Sequence, residues 1–151
     1  MKAFYYEDFE VGMCFDSPAR TITETDVVMF AGFSGDYNAI HTDTEYCKNT
    51  QFGERIAHGL LGISIITGLM SRAGTFEGTA IAMLGINNWK FLKPIFIGDT
   101  VYVRYTITEK RPSKSNPETG IVNRFYELIN QKGEVVQNGE MPVLIKRNLG
   151  K

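Results

Sequence analysis

The sequence has two cysteines, Cys14 and Cys47, and no CxxC spacing. A disulfide framework and a structural zinc site are therefore not expected, and a reducing, cytoplasmic location is the default reading. It has two histidines, His41 and His58, without the paired spacing that places two ligands on one helix face. That is too few for a metal hydrolase, so no metal is expected. No apolar run reaches the ~18–20 residues that cross a bilayer. Glu7 and Asp8 interrupt the N-terminus before any apolar stretch, against a secretory signal. Charge is nearly balanced, with 16 basic and 17 acidic residues for a net −1. Neither nucleic acid nor an acidic membrane is thus an expected partner. Linkers, repeats and low-complexity tracts are also missing.

What is present is an ordinary globular composition. Apolar residues make up 43% and charged residues 22% of 151 positions, enough for one domain with a sizeable core. A short strand is expected near Met13–Phe15 and another at Arg20–Thr23. Thr23 or Thr25 can cap a helix carrying Glu24 and Asp26 in its first turn, where acids suit the dipole. It should end near Gly32–Gly35, and a short helix is plausible around Thr44–Lys48. The clearest helix covers residues 59–73, with Gly74 as its stop. Its apolar residues leave hardly any polar face, which predicts burial on all sides. Gly59, Gly62 and Gly68 weaken it and suggest close packing against its backbone.

From Thr79 onward the period is two. Strands are expected over residues 80–92 (bulged near Gly85), 100–110, 121–130 and 134–146. Gln131-Lys132-Gly133 is a hairpin signal, Pro112–Gly120 a loop, and the last residues from Lys146 a frayed tail. One long apolar helix followed by antiparallel strands predicts an α+β fold, with the sheet wrapped around the helix. A single sheet of this size leaves an edge open, which suits a homodimer or higher homo-oligomer.

The residues that carry chemistry lie between the helices. Asp36 and His41 are five apart, too far round a regular helix to meet but able to converge on a turn. A carboxylate and an imidazole sharing one water can take a proton from it and return one elsewhere. Asn38 could fix the water or a side chain. Alternatively, Asp36 and Asn38 simply bond their own backbone in a turn and His41 has no chemical role. Spacing alone leaves both readings open.

The string Ser34-Gly35-Asp36-Tyr37-Asn38-Ala39-Ile40-His41 resembles the hydratase motif of the MaoC-like, or (R)-specific enoyl-CoA hydratase, family. Ile56-Ala57-His58-Gly59-Leu60, Trp89-Lys90-Phe91 with Pro94, and Gly98-Asp99-Thr100 resemble it too. The likeness spans about residues 9–146, within a single domain of residues 1–151. One departure is Ala39, where the family has proline; it loosens the turn but removes no catalytic atom.

The resemblance implies a hot-dog fold and an acyl-CoA substrate, with no metal or redox cofactor. Asp36 and His41 would hold the water that adds to a trans-2-enoyl thioester, giving a (3R)-3-hydroxyacyl thioester, or run the reverse. Gly59 would offer the oxyanion its N–H, and Asn38 and His58 would support, His58 by capping or orienting the helix start. Coenzyme A phosphates need cations, but Arg72, Lys90, Lys93, Arg104 and Lys114 give no assignment. The alternatives are a hot-dog thioesterase or a non-catalytic acyl-CoA-binding subunit. Helix 59–73 has no carboxylate, the nearest being Glu54 and Glu77, which argues against the first. The Asp36–His41 pair argues against the second.

Overall fold

The computed structural model describes residues 3–150. Met1 and Lys2 of the acidic start, and Lys151 of the expected tail, lie outside the described residues. After a 3-10 turn at Tyr6–Asp8 come β1 (Cys14–Asp16), β2 (Arg20–Thr21), α1 (Glu24–Ser34), α2 (Ala39–Thr42), α3 (Thr44–Cys47) and α4 (Gly59–Ala73). The strands β3 (Ala80–Met83), β4 (Asn87–Phe91), β5 (Thr100–Pro112), β6 (Thr119–Ile129), β7 (Val135–Glu140) and β8 (Val143–Lys146) follow. They form one antiparallel sheet in the order β1-β5-β6-β7-β4, with β8 joining β6 to β3 and β2 pairing with β5. This is the expected hot-dog layout.

Alternation builds the core. Val101, Val103, Tyr105 and Ile107 of β5 are fully buried, as the period of two predicts. They join Val122, Tyr126 and Leu128 of β6 in one apolar cluster with Leu61, Ile65, Ile66 and Leu69 of α4. The hairpin expected at residues 131–133 forms: Gly133 adopts φ 75° and Asn130 N–H donates to Glu134 O at 3.0 Å.

Four expectations need correction. First, residues 80–92 form two strands, since β3 pairs with β8 and β4 with β7. Second, residues 134–146 also divide in two, at Met141 and Pro142. Both breaks have one cause. Pro142 has no N–H to continue a ladder, and its carbonyl accepts from Leu84 N–H at 2.9 Å. The two strand pairs therefore bend together at one joint.

Third, α4 is not buried on all sides. Leu60 is 62% exposed, and Ser64, Thr67 and Gly68 also face outward. In one chain the sheet covers a single side of the helix. Ile81, Met83, Leu84, Ile86, Phe91 and Leu92 of the β3–β4 region are exposed as well. Fourth, the tail is pinned rather than frayed: Arg147 pairs with Glu7 at 2.8 Å, and Asn148 N–H donates to the same carboxylate.

Candidate active site

The site is assembled by short-range hydrogen bonds at the end of α1. Thr23 caps that helix, accepting from Asp26 N–H, while Asp26 accepts in return from Thr23 N–H. Gly35 closes it in the left-handed conformation, φ 77°. Ser34 Oγ then accepts from Asp36 N–H (3.1 Å), Asp36 Oδ1 from Asn38 N–H (3.2 Å), and Asn38 Oδ1 from Ile40 N–H (3.2 Å).

Both readings of this segment thus hold in part. Asp36 and Asn38 do bond their own backbone, and the turn aims Asp36 at His41. Asn38 serves as the N-cap of α2, so its side-chain oxygen is spent on the helix. His41 sits on α2, a four-residue helix absent from the sequence reading. Ala39 takes the first helical position, where an unpaired N–H makes proline acceptable and no proline necessary. Cys47, fully buried, places Sγ 3.3 Å from Ile40 O and supports α2 from below.

His41 Nδ1 lies 2.7 Å from Ile56 O. A carbonyl only accepts, so Nδ1 carries the proton and a neutral ring turns its lone pair on Nε2 outward. Nε2 is 3.9 Å from Asp36 Oδ2. That is too long for a direct hydrogen bond and suits one water about 2.8 Å from each atom. The Asp36 side chain is half exposed and that of His41 only 11% exposed.

His58 precedes α4 but makes no side-chain cap, contrary to one expectation. It orients instead. Its Nε2 donates to Asp36 O at 2.9 Å, and its ring stacks on His41 and tilts against Phe30. Its Nδ1 is buried without a partner. Gly59 opens α4, where the first amides have no intrahelical acceptor; no hydrogen bond from Gly59 N–H occurs among the described residues. Ser64 and Thr67 bond back to Leu60 O and Ser64 O, so neither serves the site.

His41 and Gly59 line one cavity of about 430 Å³, walled mainly by apolar residues including Phe91 and Ile95. Lys93 stands on its rim, paired with Glu134. Gln137, which sequence reasoning missed, completes the lining beside Gly59. Its contact to Gly59 spans 78 residues and leaves no local signal. Asp36, His41 and His58 form the one group among the described residues with ligand atoms close enough, within 4.8 Å, to hold an ion. His41 Nδ1 and His58 Nε2 are engaged by backbone carbonyls, so each ring has one nitrogen left to offer a ligand.

The MaoC like domain family matches residues 8–125 of the sequence. The chain belongs to this family. The MaoC protein of Klebsiella aerogenes is 40% identical over 70% of the chain, which spans only 31% of that protein's length. An (R)-specific enoyl-CoA hydratase of Rhodospirillum rubrum is 35% identical over 93% of the chain and 91% of its own length. A crystal structure of a MaoC-like dehydratase from the same organism superimposes with a TM-score of 0.84 at 30% identity. It covers 97% of this chain and 99% of that one. The MaoC-like match includes every sequence-predicted site residue, Asp36, Asn38, His41, His58 and Gly59.

Proposed function

We propose that this MaoC-like chain is a hydro-lyase: it adds water to trans-2-enoyl-CoA to give (3R)-3-hydroxyacyl-CoA, and catalyses the reverse dehydration. The observation that carries this is the placement of Asp36 Oδ2 3.9 Å from His41 Nε2, with His41 lining a cavity that Gly59, at the start of α4, also lines. The full-length likeness to an (R)-specific enoyl-CoA hydratase supports the same reading.

In this mechanism Asp36 and His41 hold one water. As its oxygen bonds to Cβ, the pair accepts a proton. The Cα=Cβ electrons move toward the thioester carbonyl, whose oxygen gains negative charge and is met by Gly59 N–H at the positive end of α4. The pair then returns a proton to Cα and ends as it began. Acid and base are not divided between them, because interacting groups titrate as a pair. His58 and Asn38 support without touching substrate.

No metal or redox cofactor takes part in this scheme. Helix α4 carries no carboxylate, as a thioesterase built on the central helix would require. The exposed apolar residues of β3, β4 and the outer side of α4 would be covered in a homodimer, and the location would be cytoplasmic. The test is hydration of crotonyl-CoA, followed by loss of the enoyl absorbance, with Asp36→Asn in parallel and chiral analysis of product. Loss in wild type alone, giving the 3R alcohol, is expected. Failure across short, long, branched and carboxylated enoyl thioesters would overturn the proposal.

A further inference from the structure

Gln137 is a polar side chain in the apolar interior, only 2% exposed. It stands on β7 opposite Phe91 of β4, the residue whose ring approaches Gly59. Both ends of its carboxamide are engaged. Nε2 donates to Gly59 O at 3.0 Å, and Oε1 accepts from Trp89 Nε1 at 3.2 Å. The orientation is unambiguous, because an indole N–H only donates and a backbone carbonyl only accepts.

The helix makes room for this amide. A Cβ on Gly62 would fall 2.3 Å from Gln137 Nε2 and 2.7 Å from its Cδ. Gly62 therefore opens a slot in α4 one turn beyond Gly59, and Gln137 fills it. The peptide that follows Gly59 is thus tied to two strands of the sheet as well as to its own helix. Gly59 and Gln137 line the same cavity, so this bond fixes the start of α4 against the strand that forms the cavity wall.

We propose that Gln137 is a positioning residue: latched by Trp89, it clamps the start of α4 so that Gly59 N–H meets the developing enolate oxygen. This rests on the hydratase reading above and extends it to a residue that touches no reacting atom. Such a donor acts on charge present only in the transition state, so misplacing it lowers kcat and leaves KM nearly unchanged.

The experiment compares wild type, Gln137→Met and Gly62→Ala in enoyl-CoA hydration, with 1H–15N spectra of each. Met keeps the length of the side chain and removes both hydrogen bonds. Ala at 62 displaces the carboxamide from the helix side while improving intrinsic helix propensity, so it guards against a variant that fails to fold. Each should lose about 10- to 100-fold in kcat, the scale of an ångström-level misplacement, with KM within about threefold. The Gly59 amide cross-peak should move while that of Gly68, further along α4 and open to solvent, stays in place. Wild-type kcat in either folded variant, or a loss of kcat with Gly59 unmoved, overturns the clamp. An inactive wild type overturns the hydratase reading itself, which sets the two failures apart.

Discussion

The imidazoles of His41 and His58 lie face to face, with centroids 3.8 Å apart and planes 26° apart. Each ring donates to a different backbone carbonyl, His41 to Ile56 and His58 to Asp36. One histidine thus fixes the plane of the other while also holding the carbonyl of the residue that faces it. His58→Phe should keep the stack and lose the bond to Asp36, giving a partial fall in kcat. His58→Ala loses both and should fall further. Equal rates for the two variants would show that the stack contributes nothing.

Asp36→Asn and His41→Ala should each lower turnover by at least about 100-fold, the usual scale for lost acid–base catalysis. Circular dichroism should be unchanged, because Asp36 is half exposed and α2 is capped by Asn38. Wild-type rates in either variant would remove the pair from the mechanism.

Gly59→Ala places a methyl 2.8 Å from Cε1 of Phe91. The ring must swing, and Phe91, 56% exposed, is free to do so. Activity should drop about tenfold or more as the thioester is crowded. Thermal stability should hold or rise, since alanine favours a helix by up to about 1 kcal/mol over glycine. Unchanged kinetics would move the oxyanion donor elsewhere.

Much of this site was legible locally, and what was not depended on distant partners. Asp36 and His41 are brought together by consecutive turns, each read by a side chain two residues upstream. The Thr23 cap and the burial of β5 follow from spacing in the same way. By contrast, the joint between Leu84 and Pro142 joins segments 58 residues apart, so neither stretch announces its own break. The apolar sequence of α4 states what can be covered, not what one chain covers, and Leu60 stays exposed. Gln137 was invisible for a related reason: its reason for being polar lies on α4 and β4.

Thr23→Ala should destabilise the protein by about 1 kcal/mol, the usual cost of a lost N-cap. Chemical denaturation would measure it. Because α1 ends in the turn that aims Asp36, a fall in activity near the melting transition should precede global unfolding.

The Arg55 hydrogen bond holds the Glu24 carboxyl below its ordinary 4.5, against a smaller opposing effect of burial. A lowered carboxylate pKa stabilises the fold above the unfolded value, and the effect is lost as pH falls below about 4.5 toward the folded value. The Tm advantage of wild type over Glu24→Gln should be present at neutral pH and shrink through that window at low salt. An advantage that grows on acidification would contradict the assignment.

The shared bend at Leu84 and Pro142 divides the rim of the sheet into two short ribbons. One, β4 with β7, carries Trp89, Phe91 and Gln137, the groups that meet the start of α4. The other, β3 with β8, carries none of them and continues to the pinned C-terminus. The cavity wall and the pinned Arg147 thus lie on different strand pairs, joined to each other only through β6 among the described strands. The register irregularity between Asn87 and Lys90 lies on the cavity side of the joint, while β3 and β8 have their own between Ala80 and Ala82. The residues that meet the start of α4 are thus confined to one of the two strand pairs.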